Sequence, residues 1–211
     1  MKRKKQIRYF FVVPAILTFI FSLFYSCRDL SAINPSDILN KEINIYFTEY
    51  LEGSSSNHAL EIYNASQVTV DLSDFEIMIY PNGAVCAISS YTLNKYLEPG
   101  GVFVIADYSS DNKIIKKADA STSSTVIKFN GNDALILVRI STGKIFDSIG
   151  CIGEKPEFCW GEGDTTTKDH TLRRKKTVQK GDNNPDDNFD PSEEWIAYSI
   201  DTFDGLGNLN Y

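Results

Sequence analysis

Between Ile43 and Gly150 the chain alternates apolar and polar residues in short runs. Each run is closed by Gly, Pro, Asn or Ser. A period of two broken this often suits β-strands and not helices. The predicted strands are INIYFTEYL (43–51), HALEIYN (58–64), two short runs within QVTVDLSDFEIMIY (67–80) around Ser73 and Asp74, and AVCAISSYTL (84–93). They continue with GVFVIAD (101–107), STVIKFN (124–130), DALILVRI (133–140) and KIFDSIG (144–150). STG at 141–143 is a hairpin turn signal. The one candidate for a helical turn is SSDNKIIKKADAS (109–121). Strands of this length and spacing predict an all-β sandwich or barrel.

The amino terminus is a different kind of segment. The basic cluster MKRKKQIR precedes an uncharged apolar run from Tyr9 to Ser26, and Cys27 follows. A positive start, an apolar stretch and a small residue before the break describe an export signal. With LFYSC as a lipobox, residues 1–26 resemble a bacterial lipoprotein signal, which makes Cys27 the lipid attachment site. The other reading is an uncleaved membrane anchor. Either way the basic end stays inside and the rest of the chain is extracytoplasmic, at the outer membrane or cell surface. RDLSAINPSDILNKE then reads as a tether, giving a segment 27–42 ahead of a domain at 43–211. Removing residues 1–26 removes five basic residues and no acidic ones, so the formal charge moves from −7 to −12. A domain this acidic disfavours nucleic acid as a partner. The remaining basic cluster, Arg173 to Lys176, reads as a charged edge strand, or alternatively as a local anion patch.

Three stretches carry a family resemblance: FTEYLEGSSSNHALEIYNASQVTVDLSDFEIMIYPNG, LEPGGVFVIAD and NGNDALILVRISTGKIFDSIG. In order and spacing, from about Ile43 to Gly150, they resemble a lamin-tail domain. The resemblance implies an immunoglobulin-like β-sandwich, a module found in nuclear lamins and on exported bacterial proteins. WGEGDTTTKDHTLRRK, GDNNPDDNFDPSEEW and DTFDGLG, in the carboxy-terminal extension from about 151 to 211, are similar to lamin-tail domains beside bacterial extracellular nucleases. A separate domain does the cutting in those proteins, so the resemblance carries over the accessory module and not the activity. The expected function is a membrane-tethered binding or scaffold module without intrinsic catalysis, acting on an unknown protein or surface ligand. The alternative is an accessory domain of a secreted nuclease or hydrolase, or a cryptic one.

Glu49 and Glu61 fall within predicted strands and read as structural, capping loop amides or pairing across strands. The alternative is a metal or catalytic pair, which needs a defined separation. His58 and His170 lie at strand starts or in polar loops, without metal-ligand spacing, and GxSxG, P-loop and CxxC motifs do not occur. In an oxidising compartment Cys151 and Cys159 are expected to form a disulfide that pins IGEKPEF and helps position Trp160. Cys86 either takes one of these partners or stays a buried thiol. The acidic run 181–195 offers Asp182, Asp186, Asp187 and Asp190 as candidate Ca²⁺ ligands, against a solvated loop, and no other cofactor is expected. Phe189 and Trp195 are expected to dock this tail on the sandwich. The loops Ser54–His58, Pro81–Gly83 and Thr165–Lys168 are the expected binding surface.

Overall fold

The computed structural model describes residues 42–208. The predicted signal, Cys27 and the tether up to Lys41 lie outside them. From the amino end, β1 (Ile45–Glu52) and β2 (His58–Asn64) form a hairpin, and β3 (Val70–Asp71) leads through a 3-10 turn into β4 (Phe75–Tyr80). Next come β5 (Ser89–Thr92), β6 (Tyr96–Leu97) and β7 (Val102–Asp107). The short helix α1 (Asn112–Ile115) precedes β8 (Ala120–Thr122), and then β9 (Ala134–Arg139) and β10 (Ile145–Ile149) make a second hairpin. The chain ends in β11 (Gly161–Glu162), β12 (Thr165–Thr166), β13 (His170–Arg174), the helix α2 (Pro191–Glu194) and β14 (Trp195–Ser199).

Two sheets carry the fold, as the alternation predicts. The larger has the order β14-β13-β1-β2-β7-β8 and the smaller β10-β9-β4-β5. Their inner faces share a core built from Ile45, Phe47, Leu60, Ile62, Phe75, Ile77, Phe103, Leu137 and Trp195. Burying such aliphatic and aromatic side chains stabilises by roughly 1.5–3 kcal/mol each. A smaller cluster lies on the outer face of the large sheet. There Leu51, Ala59, Val104 and Ala106 are covered by Ile114 of α1 and by Leu206. This cover explains why every residue of β1 is buried.

Three local expectations change. The run 124–130 is not a strand: Ser124 Oγ accepts from the Val126 amide, and a 3-10 turn at Thr125–Ile127 drops Val126, Ile127 and Phe129 into the core. In the run 84–93 only Ser89–Thr92 is strand, and Val85 and Ile88 stand exposed. The basic cluster is not a charged edge. β13 lies between β14 and β1, and Arg173 and Arg174 are 2% and 3% exposed. Each is tolerated there because a carboxylate meets it.

Candidate functional site

The bulge in β1 between Phe47 and Glu49 sets up the first of two buried charge clusters. It brings Thr48 and Glu49 to the outer face, where Glu49 sits between Glu61 of β2 and Arg173 of β13. Arg173 Nε lies 3.3 Å from Glu49 Oε2, and the guanidinium also pairs with Asp204. Thr48 Oγ1 donates to Glu61 Oε1 at 2.7 Å, and the Gly207 amide donates to Glu61 Oε2 at 2.6 Å. The carboxy-terminal turn closes the cluster. A Cβ on Gly205 would collide with Glu49 Oε2 and Arg173 Nε, so only glycine permits this approach. Burial pushes Glu49 up to about 8 against the opposing pull of Arg173. Burial raises Glu61 too, opposed by the Thr48 and Gly207 donors.

On the inner side Asp147 of β10 joins the two sheets. It accepts from the Phe47 amide at 2.7 Å, the Asp182 amide at 2.8 Å and Arg174 Nη2 at 2.9 Å. Burial still pushes its carboxyl up to about 6. Arg174 also pairs with Glu194 at 3.1 Å and lies 4.5 Å from the Trp195 ring centroid, and Trp195 is fully buried. Glu49, Glu61 and Asp147 are themselves fully buried, while the outer partners Asp204 and Glu194 reach solvent. The composition of RRKK does not separate these two buried arginines from solvated ones. Asp147 and Asp204 were invisible as their partners because the pairing depends on which strands meet.

The three loops expected to form a surface converge on one turn, residues 129–133. The His58 ring stands edge-on to Phe129, with centroids 5.3 Å apart. The Asn82 amide donates to Asp133 Oδ1 at 3.0 Å, and Thr167 Oγ1 donates to the Gly131 carbonyl. The loops are ordered by their own polar residues: Ser54 and Asn57 both donate to Asp201, and Thr166 Oγ1 lies 2.9 Å from His170 Nδ1. Burial pulls the His58 imidazole below its usual value.

Trp160 is fixed against the same turn, its indole Nε1 donating to the Asp133 carbonyl at 2.9 Å. Phe189 meets it edge-on with centroids 6.1 Å apart. These rings, with Cys159, Glu162, Asn188 and Ser192, line a cleft of about 370 Å³. Gly161 carries the chain past it at φ +86°, with α2 so close that a Cβ would lie 2.6 Å from Pro191 Cγ.

Two expectations are corrected here. Cys151 and Cys159 are free thiols and not a disulfide. Cys151 is turned inward and buried, its Sγ 3.7 Å from the Ile152 carbonyl, while half-buried Cys159 lines the Trp160 cleft. Cys86 is free and exposed, not a buried thiol. Among the described residues no cluster of His, Cys, Asp and Glu is arranged to hold a metal ion. Asp182 accepts from the Asn184 amide, Asp187 from the Asn184 side chain and Asp190 from the Ser192 amide. These short-range bonds spend the carboxylates on shaping turns, and Asp186 is simply exposed.

A Lamin Tail Domain family model matches residues 40–153, more than half of the 211-residue chain. No curated protein and no solved structure matches the chain.

Proposed function

The chain belongs to the lamin tail domain family, and from that premise we propose a non-catalytic binding or scaffold module, held at the cell envelope by its amino terminus. The convergence of three ordered loops on the 129–133 turn carries this reading. A sandwich that holds loops at fixed positions is the arrangement in which loop residues bind partners, and the Trp160 cleft is fixed to the same turn through the Asp133 carbonyl. The paired carboxylates support the same reading. Glu49 and Glu61 are engaged under the carboxy-terminal turn, with Arg173, Thr48 and Gly207 as partners.

The test uses the full chain in its native membrane. Incorporation of labelled fatty acid that disappears in Cys27→Ala establishes the lipid anchor, whereas an unlabelled chain retaining residues 1–26 establishes an uncleaved one. Cross-linking from the loop end should capture a partner that is lost in Asn132→Arg without a change in melting temperature. Turnover of DNA, RNA or glycans that survives re-purification and vanishes in Glu61→Gln overturns the scaffold reading in favour of a hydrolase.

A further inference from the structure

A second surface lies away from the loop end, where β1 and β13 part. Their pairing stops at Glu49 and Arg173. Beyond Arg174 the chain turns through Lys175–Gln179, with the Val178 amide donating to the Lys175 carbonyl at 2.9 Å. Tyr46 Oη donates to the Val178 carbonyl at 3.3 Å, and Asn44 Nδ2 donates to the Gln179 carbonyl at 2.8 Å. These bonds hold the turn off the sheet as a separate wall. The space between is a groove of about 240 Å³.

The two walls differ in chemistry. One is aromatic: the Tyr46 and Tyr63 rings meet at 82° with centroids 5.7 Å apart, so together they form a rigid corner. The other is cationic, with Arg174, Lys175 and Lys176 in succession. Lys175 is committed to the Ser192 and Glu193 carbonyls. Lys176 is exposed and makes no ion pair among the described residues, and the Gln179 side chain stands beside it. Arg174 lines the groove while buried, and its Nε and Nη1 have no hydrogen-bond partner. Asp147 and Glu194 answer its charge from the other side, so the cation the groove has to offer is Lys176.

We propose that this groove binds a carboxylated sugar unit, such as one uronic-acid residue of an acidic glycan. The ring's apolar face lies against Tyr63, which Tyr46 backs from below, its carboxylate faces Lys176, and Gln179 meets a hydroxyl. A bare inorganic anion makes no use of the tyrosines. A neutral sugar makes no use of the cations. The volume is below the roughly 300 Å³ at which pockets for drug-sized ligands begin, which suits a single ring. A nucleic-acid strand would have to run on across an acidic surface. The assignment names a ligand class for the binding module proposed above, on a surface separate from the loop end.

The experiment measures binding of the full chain, in detergent, to immobilised polyglucuronate and to a neutral glucan. Retention on polyglucuronate alone is expected, weakening with added salt and competed by free glucuronate but not by glucose. Lys176→Glu and Tyr63→Ala should each weaken it by about tenfold or more, the loss of one charge-assisted or ring contact. Lys176 is exposed, so Lys176→Glu should melt with the wild type, whereas Tyr63→Ala gives up a half-buried ring and is compared at a temperature below its own unfolding transition. Equal retention on the neutral glucan overturns the proposal. So does displacement by inorganic phosphate or a mononucleotide as effective as by glucuronate, or unchanged retention in both variants. If uronate retention fails while partner capture through the loop end persists, this assignment falls and the scaffold reading stands.

Discussion

Glu49 shows how far a single residue's surroundings set its chemistry. It faces Glu61 and Arg173 from the neighbouring strands and Asp204 from the carboxy-terminal turn. Its carboxyl is held at about 8, well above the unfolded value near 4.5, mainly by burial. A folded state that binds a proton more tightly than the unfolded state is stabilised below the unfolded value. It loses that stabilisation as pH rises through the folded value. Asp147, held at about 6, acts in the same sense over a lower window. The melting temperature should therefore fall between about pH 5 and pH 8. Glu49→Gln, which keeps the shape without the ionisation, should flatten the upper part of that fall. A wild-type melting temperature that climbs steadily over this range, with Glu49→Gln tracking it, would show that Glu49 is ionised throughout. Gly205 is tested at the same scale. Adding a methyl group where Glu49 and Arg173 already fill the space should destabilise Gly205→Ala by roughly 1–3 kcal/mol, read by denaturant unfolding.

At the scale of elements, legibility follows from what a local pattern encodes. Alternation announced β1, β2, β4, β7, β9 and β10 because each buries one face against the same core, and the Ser141–Gly143 turn follows from Gly143 at φ +67°. The run 124–130 misled because Val126, Ile127 and Phe129 are apolar enough for a strand, yet Ser124 caps a 3-10 turn that buries all three. RRKK misled because local sequence does not say that Glu49 and Asp147, both distant in the chain, come to meet it. The three loops were legible from their turn residues, whereas the Tyr46 and Arg174 groove exists only because β1 and β13 diverge. The thiols give this scale its test. Exposed Cys86 should react with a maleimide in the native protein, Cys159 more slowly, and Cys151 only on unfolding, as mapped by mass spectrometry under non-reducing conditions. Protection of Cys151 and Cys159 together, released by reductant, would restore the bridge.

Across the whole molecule, the family match ends at residue 153, but the sheet does not. β13 and β14 extend the large sheet beyond β1, so the segment after the match supplies two of its six strands. It also supplies the partners of the buried carboxyls in the matched part. Arg173 answers Glu49, Arg174 answers Asp147, and Gly207 answers Glu61. Trp195 fills the common core, and Leu206 covers the outer cluster. Breaking a buried charge pair by removing one partner costs about 3–5 kcal/mol, and a whole domain has only about 5–15 kcal/mol in hand. A chain ending at Gly153 would lose both arginines at once and expose β1 as a new sheet edge. It should therefore aggregate or melt without cooperativity, although it contains everything the family model covers. Restoring the chain through Asn208 should recover a single cooperative transition. Arg173→Met or Arg174→Met in the full chain should lower the melting temperature while leaving one transition. A truncated chain that unfolds cooperatively near the full-length melting temperature would show the extension to be an appendage and not part of the fold.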